Sequence, residues 1–147
     1  IRFSEEDVRS MGRTAGGVKS MNIDKQNDNL VDMMVLENNC EILTISENGY
    51  GKRSSPDDYR LQSRAGKGIL AGHFNDKTGA LVNMKQVRPE QDIMLISDNG
   101  TMIRTRASYI SKVGRATQGV RIMKVAEGAK IVGVAIAEPQ EEEEGNE

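Results

Sequence analysis

Short apolar stretches alternate with turn-forming residues along the whole chain, and no stretch predicts a long helix. Residues 40–46 are rich in Ile and Thr, Asn48-Gly49 follows, and residues 50–54 return. β-branched residues leading into an Asn-Gly pair predict an antiparallel hairpin with a type I′ turn, in which both central residues take positive φ. The pattern comes back at 93–97, Asn99-Gly100 and 101–105. A later apolar run closes each copy, at 30–36, 80–87 and 130–137. These follow Asp28-Asn29, residues 75–79 and Glu127-Gly128, all turn formers.

The spacing of these elements is fixed. Gly12-Arg13-Thr14-Ala15-Gly16-Gly17-Val18, Ser63-Arg64-Ala65-Gly66-Lys67-Gly68-Ile69 and Gly114-Arg115-Ala116-Thr117-Gln118-Gly119-Val120 align without a gap at a spacing of 51 residues. Arg2, Arg53 and Arg104 keep the same register. Such periods mark units that cannot bury an apolar face alone and must stack on neighbours. With about four strands per period, the expected fold is all-β: a propeller-like array of three four-stranded, blade-like units. The repeats cover 1–39, 40–91 and 92–137, and the first lacks its opening strands, as if a longer parent had been cut at Ile1. Propellers usually need about four to eight blades, so three make a partial ring or pack on another chain. An open blade edge could recruit a second copy into a homodimer.

Within each unit, Ser4-Glu5-Glu6-Asp7 and Ser55-Pro56-Asp57-Asp58 read as capped helical turns, the second with proline at its first position. Their acids are caps rather than catalysts. Gly17, Gly68 and Gly119 recur where the backbone must turn with positive φ.

Composition narrows the function. At 37% hydrophobic and 29% charged, with no apolar run near the roughly 20 residues a membrane helix needs, the chain reads as soluble. Nothing resembles a targeting signal, and one cysteine, Cys40, permits no intramolecular disulfide, which suits a reducing cytoplasm. Net charge is −2, yet six of the acids and none of the bases fall in 138–147, so sixteen acids face twenty cations in the body. That segment reads as an acidic disordered tail able to compete with nucleic acid for a basic surface.

Enzymatic chemistry has little to stand on. His73 is the only histidine and recurs as Asn22 and Lys124. Tyr59 recurs as Val8 and Ile110, so its ring belongs in the core. No phosphate-binding loop or metal-ligand cluster is present. The basic residues do recur: Arg2, Arg13, Lys52, Arg53, Arg64, Lys67, Arg104, Arg106, Arg115 and Arg121 are the candidate DNA contacts. A row of them along one rim would meet successive phosphates without reading sequence. The alternative is a set of structural arginines bonding carbonyls within each turn. With aromatics at 3% and no tryptophan, stacking platforms for single strands are lacking, so wrapped duplex is the better fit.

At Val8-Arg9-Ser10-Met11-Gly12, Asn48-Gly49-Tyr50-Gly51-Lys52-Arg53 and the three Arg-Gly segments, the chain resembles the C-terminal domains of DNA gyrase A subunits. The resemblance implies a β-pinwheel disc whose basic rim wraps duplex DNA with positive handedness, so that the rest of the enzyme introduces negative supercoils. It also implies a non-catalytic piece of an ATP-dependent type IIA topoisomerase. ATP and Mg would be held elsewhere in the parent, and the partners would be the rest of the gyrase A subunit and the gyrase B subunit. The family's box, Gln-Arg-Arg-Gly-Gly-Lys-Gly, is matched at five of seven positions by residues 62–68 and at two by 11–17 and 113–119. The true box is therefore absent, as expected of later blades. Alternatives are the corresponding domain of topoisomerase IV and a propeller-type protein interaction scaffold.

Overall fold

The computed structural model describes residues 1–139. The predicted acidic tail falls almost wholly on 140–147, outside the described residues. Its first residue, Glu138, is no free tail: it pairs with Arg88 at 3.2 Å and accepts from Gln91 at 2.8 Å.

Seven strands form two antiparallel sheets: β1 (Glu41–Ser46), β2 (Tyr50–Ser54), β3 (Leu81–Val87), β4 (Asp92–Ser97), β5 (Met102–Arg106), β6 (Val120–Arg121) and β7 (Ile131–Ala137). The first sheet runs β3-β1-β2-β6 and the second β5-β4-β7. Strand β6 lies in the third repeat by sequence but pairs with β2 of the second, Tyr50 opposite Arg121 and Gly51 opposite Val120. The second blade is thus finished by its successor, whereas the second sheet takes all three of its strands from the third unit. A shared core crosses the sheets, with Leu43, Ile45, Val87, Ile93, Leu95, Ile110, Met123 and Ile131 all buried.

Burial records the neighbour's presence. Strand β2 is buried at every position, whereas β5, its counterpart one period later, alternates exposed and half-buried residues. The third unit has no described strand beyond β5. Residues 30–36 show the same dependence. They alternate in exposure, with Val31, Met33 and Val35 outward, yet form no named strand, because no ladder partner exists among the described residues. The expected closing strand of the first unit is therefore not assigned, and that unit's one bridge is Arg2 to Leu61.

The hairpin turns differ from type I′. Gly49 N bonds Ser46 O at 3.1 Å and Gly100 N bonds Ser97 O at 3.0 Å, so each loop has three residues. Only the glycines are left-handed, at φ +82° and +85°. This is the turn-plus-left-handed-residue loop whose twist also suits a hairpin, and it needs positive φ once rather than twice. Gly49 is further fixed because a Cβ there would lie 2.1 Å from Met123 O. The capped turns form as short 3₁₀ segments, Glu5–Asp7 and Pro56–Asp58, with Ser4 and Ser55 accepting from Glu6 N and Asp57 N.

Candidate nucleic-acid interface

The arginines of the Arg-Gly turns reach backwards into the preceding unit. Arg64 Nε donates to Asp7 O (3.0 Å) and its Nη1 to Lys19 O. One period later Arg115 Nε donates to Asp58 O (3.1 Å) and its Nη1 to Leu70 O. Every partner is shifted by the repeat length. The strand arginines reach forwards by the same logic: Arg2 Nη1 donates to Tyr59 O (3.2 Å) and Arg53 Nε to Ile110 O (2.8 Å). Backbone bonds repeat alongside, Gln62 N to Arg2 O and Val113 N to Arg53 O. Two oppositely directed arginine latches therefore close each junction. Charge-assisted bonds of this kind are worth about 1.5–3 kcal/mol where they are shielded from water.

This geometry removes two candidate contacts outright. Lys52 is 1% exposed, and its Nζ donates to the carbonyls of Gly114, Arg115 and Thr117 in the next unit's turn. Arg53 is 8% exposed and ion-paired to Glu41 at 2.5 Å. Phosphates cannot reach either ammonium or guanidinium, so both are corrected to structural roles. Arg2, Arg64 and Arg115 are half-exposed, with nitrogens held by carbonyls across a junction rather than within one turn. Arg104 and Arg106 both face Asp92, at 2.8 and 3.6 Å.

Three of the ten candidates, Arg13, Lys67 and Arg121, are exposed and have no carboxylate in ion-pair range among the described residues. Arg9, Arg60, Lys77 and Lys124 share that state and were missed. Arg9 and Arg60 stand 51 residues apart, a signal that could have found them; Lys77 and Lys124 do not recur as cations.

Among the described residues, no group of three His, Cys, Asp or Glu side chains could hold a metal. Burial pushes the Tyr59 phenol above its ordinary range, which fits a core ring rather than a nucleophile. His73 is exposed, and Cys40 sits just before β1 with its Sγ donating to Glu37 O. No helix is long and apolar enough to cross a membrane.

A blade completed by a neighbour's strand and periodic latches between units define a β-propeller-type repeat domain. A family model for the DNA gyrase C-terminal domain, beta-propeller, matches residues 1–37, 41–88 and 91–138. The chain belongs to that family. It is 42% identical over 145 residues to the A subunit of DNA gyrase from Salmonella typhimurium and 43% identical over 134 residues to that from Pseudomonas aeruginosa. These alignments cover 98% and 91% of the chain but only 16% and 14% of the relatives, so the chain spans about a sixth of their length. Among solved structures, a DNA gyrase A C-terminal domain superposes with a TM-score of 0.84 at 27% identity, covering 92% of this chain and 46% of that one. A topoisomerase IV C-terminal domain reaches 0.83 at 19% identity, covering 92% and 42%, and shows the shared fold alone. Gyrase, not topoisomerase IV, is the better match.

Proposed function

We propose that this chain is a non-catalytic module that binds and wraps duplex DNA through the phosphate backbone. The carrying observation is that every repeat exposes cations with no carboxylate partner among the described residues: Arg9, Arg13, Lys19 and Lys25 in the first, Arg60, Lys67 and Lys77 in the second, Arg121 and Lys124 in the third. An exposed cation without an acid nearby gains more from a phosphate than one already paired, and each contact releases counterions. Single-strand recognition is disfavoured because Tyr50 and Tyr59, at 5% and 7% exposure, are buried, and the exposed rings, Phe74 and Tyr109, are too few to stack successive bases. As part of the gyrase A polypeptide, the module would support ATP-dependent negative supercoiling in the bacterial cytoplasm. ATP and Mg would be bound elsewhere in the enzyme, and the gyrase B subunit would be a partner.

Equilibrium binding to a duplex of mixed sequence across a salt series tests this reading. Six phosphate contacts give a log–log slope of about −5, alike for unrelated sequences. A flat response would favour a protein interaction scaffold.

The outer edge of β5 is unpaired among the described residues, and a second copy of this chain could add to it in a homodimer. Sedimentation showing only monomer at high concentration removes it.

A further inference from the structure

Where the second and third units meet, an open cleft of about 280 Å³ is lined by Asn48, Tyr50, Lys77, Arg121, Lys124 and Glu127, among others. Its floor is the buried Tyr50 ring. Arg121 lies 5.4 Å and Lys77 5.7 Å from the ring centroid, and Arg121 Nη2 donates to the Tyr50 hydroxyl at 3.1 Å. Neither cation, nor Lys124, has a carboxylate within 4 Å among the described residues. Glu127 is the cleft's one acid and bonds none of them, so the lining carries a surplus of two positive charges. The nearby Glu47 is already taken by Lys130 at 3.3 Å.

Cations gathered on one ring repel each other, and an anion entering the cleft relieves that repulsion. The hydroxyl bond fixes the guanidinium in advance, which lowers the ordering cost of binding. The arrangement is local. One period earlier Arg121 and Lys124 become Leu70 and His73, so the first junction cannot build it.

We infer that this cleft is a phosphate-binding site that seats one backbone phosphodiester of the duplex, anchoring DNA at the second junction rather than evenly along the repeats. The inference rests on the duplex-binding reading above. The three cations serve as donors: Arg121 offers a planar fork to two phosphate oxygens, and Lys77 and Lys124 act as point charges on either side.

The test compares Lys77→Gln/Lys124→Gln with Lys19→Gln/Lys25→Gln, a pair of equal charge change away from the cleft whose cations likewise have no carboxylate partner among the described residues. All four side chains are at least partly exposed, and unchanged melting temperatures confirm folding. The cleft variant should flatten the salt slope by about 0.9, the share of the one phosphate seated there, and weaken duplex binding about eightfold at roughly 0.1 M salt, the control much less. Equal losses in both variants, or an unaltered cleft variant, overturn the anchor while leaving duplex binding in place. A parallel titration of the wild type with inorganic pyrophosphate, followed by amide chemical shifts, keeps the two readings separable. If the wild type binds no duplex, the function falls. Saturable shifts confined to residues 48–50, 77 and 121–129 then keep the phosphate site, and their absence removes it.

Discussion

Replacing Arg53 by methionine separates a structural arginine from a DNA contact. The guanidinium bonds Ile110 O at 2.8 Å and Glu41 at 2.5 Å, with side chains 10% and 13% exposed. Methionine keeps most of the aliphatic volume but leaves the Ile110 carbonyl unbonded and Glu41 with one cation instead of two. Breaking a buried pair costs about 3–5 kcal/mol. Lys112, 3.0 Å from Glu41, still compensates the carboxylate, so the lower end applies. A loss of roughly 3 kcal/mol should appear in urea unfolding as a lower midpoint at unchanged m. In a chain of this size it should lower Tm by about 10 °C. Duplex binding measured well inside the folded range should retain its salt slope. If R53M instead stays within about 0.5 kcal/mol of wild type and its slope falls by about 0.9, Arg53 touches phosphate and its assignment as a latch is wrong.

Burial, with the Arg115 charge acting in the same direction, lowers Lys52 to about 8. The unfolded chain then binds more protons between about 8 and the ordinary 10.5, so wild-type stability relative to K52M should rise as pH rises through that window. Melting curves of both proteins near pH 7.5 and pH 9.5 check it, and a narrowing difference at the higher pH contradicts it. Gly119 sits at φ +83° with the Gly51 carbonyl 2.5 Å from where a Cβ would stand, so Gly119→Ala should cost roughly 2 kcal/mol or more. Gly114→Ala, whose nearest neighbour is 4.0 Å away, should be close to neutral in the same denaturation assay.

The strands flanking each Asn-Gly pair were legible because β-branched runs and turn residues are local signals, and β2 spans the expected residues 50–54. The loop type was not legible. An Asn-Gly pair fits a two-residue or a three-residue loop, and the choice rests on whether Gly49 N reaches Ser46 O. Recurrence of the arginines was equally plain but ambiguous, since a period preserves a latch as faithfully as a contact. One discriminating signal did lie in the sequence: Glu41 and Asp92 each precede the strand arginine of their own unit by 12 residues, which foretells the pairs with Arg53 and Arg104. Lys77 and Lys124 gave no such signal, because the cleft they line exists only where two units meet.

On the proposed reading, the latches would serve DNA binding by fixing the support rather than by contacting phosphate. Smooth bending of a duplex around a protein costs of order 1–6 kcal/mol per 20–30 base pairs, which scattered cations on a yielding surface offset poorly. A support of fixed curvature holds the contacts where the bent helix will be. Here curvature follows from the angle between successive units, and that angle is set by Arg53 and Lys52 reaching forwards and Arg64 and Arg115 reaching backwards. Each latch ends on backbone carbonyls, whose positions do not depend on the side chain present, so the geometry survives where the sequence of the turn drifts. Asp7 and Asp58 accept through their main chains, as do Lys19 and Leu70, a pair with nothing else in common. The exposed residues of the same units are thereby free to diverge, which is how Leu70 and His73 at one junction become Arg121 and Lys124 at the next without disturbing the array.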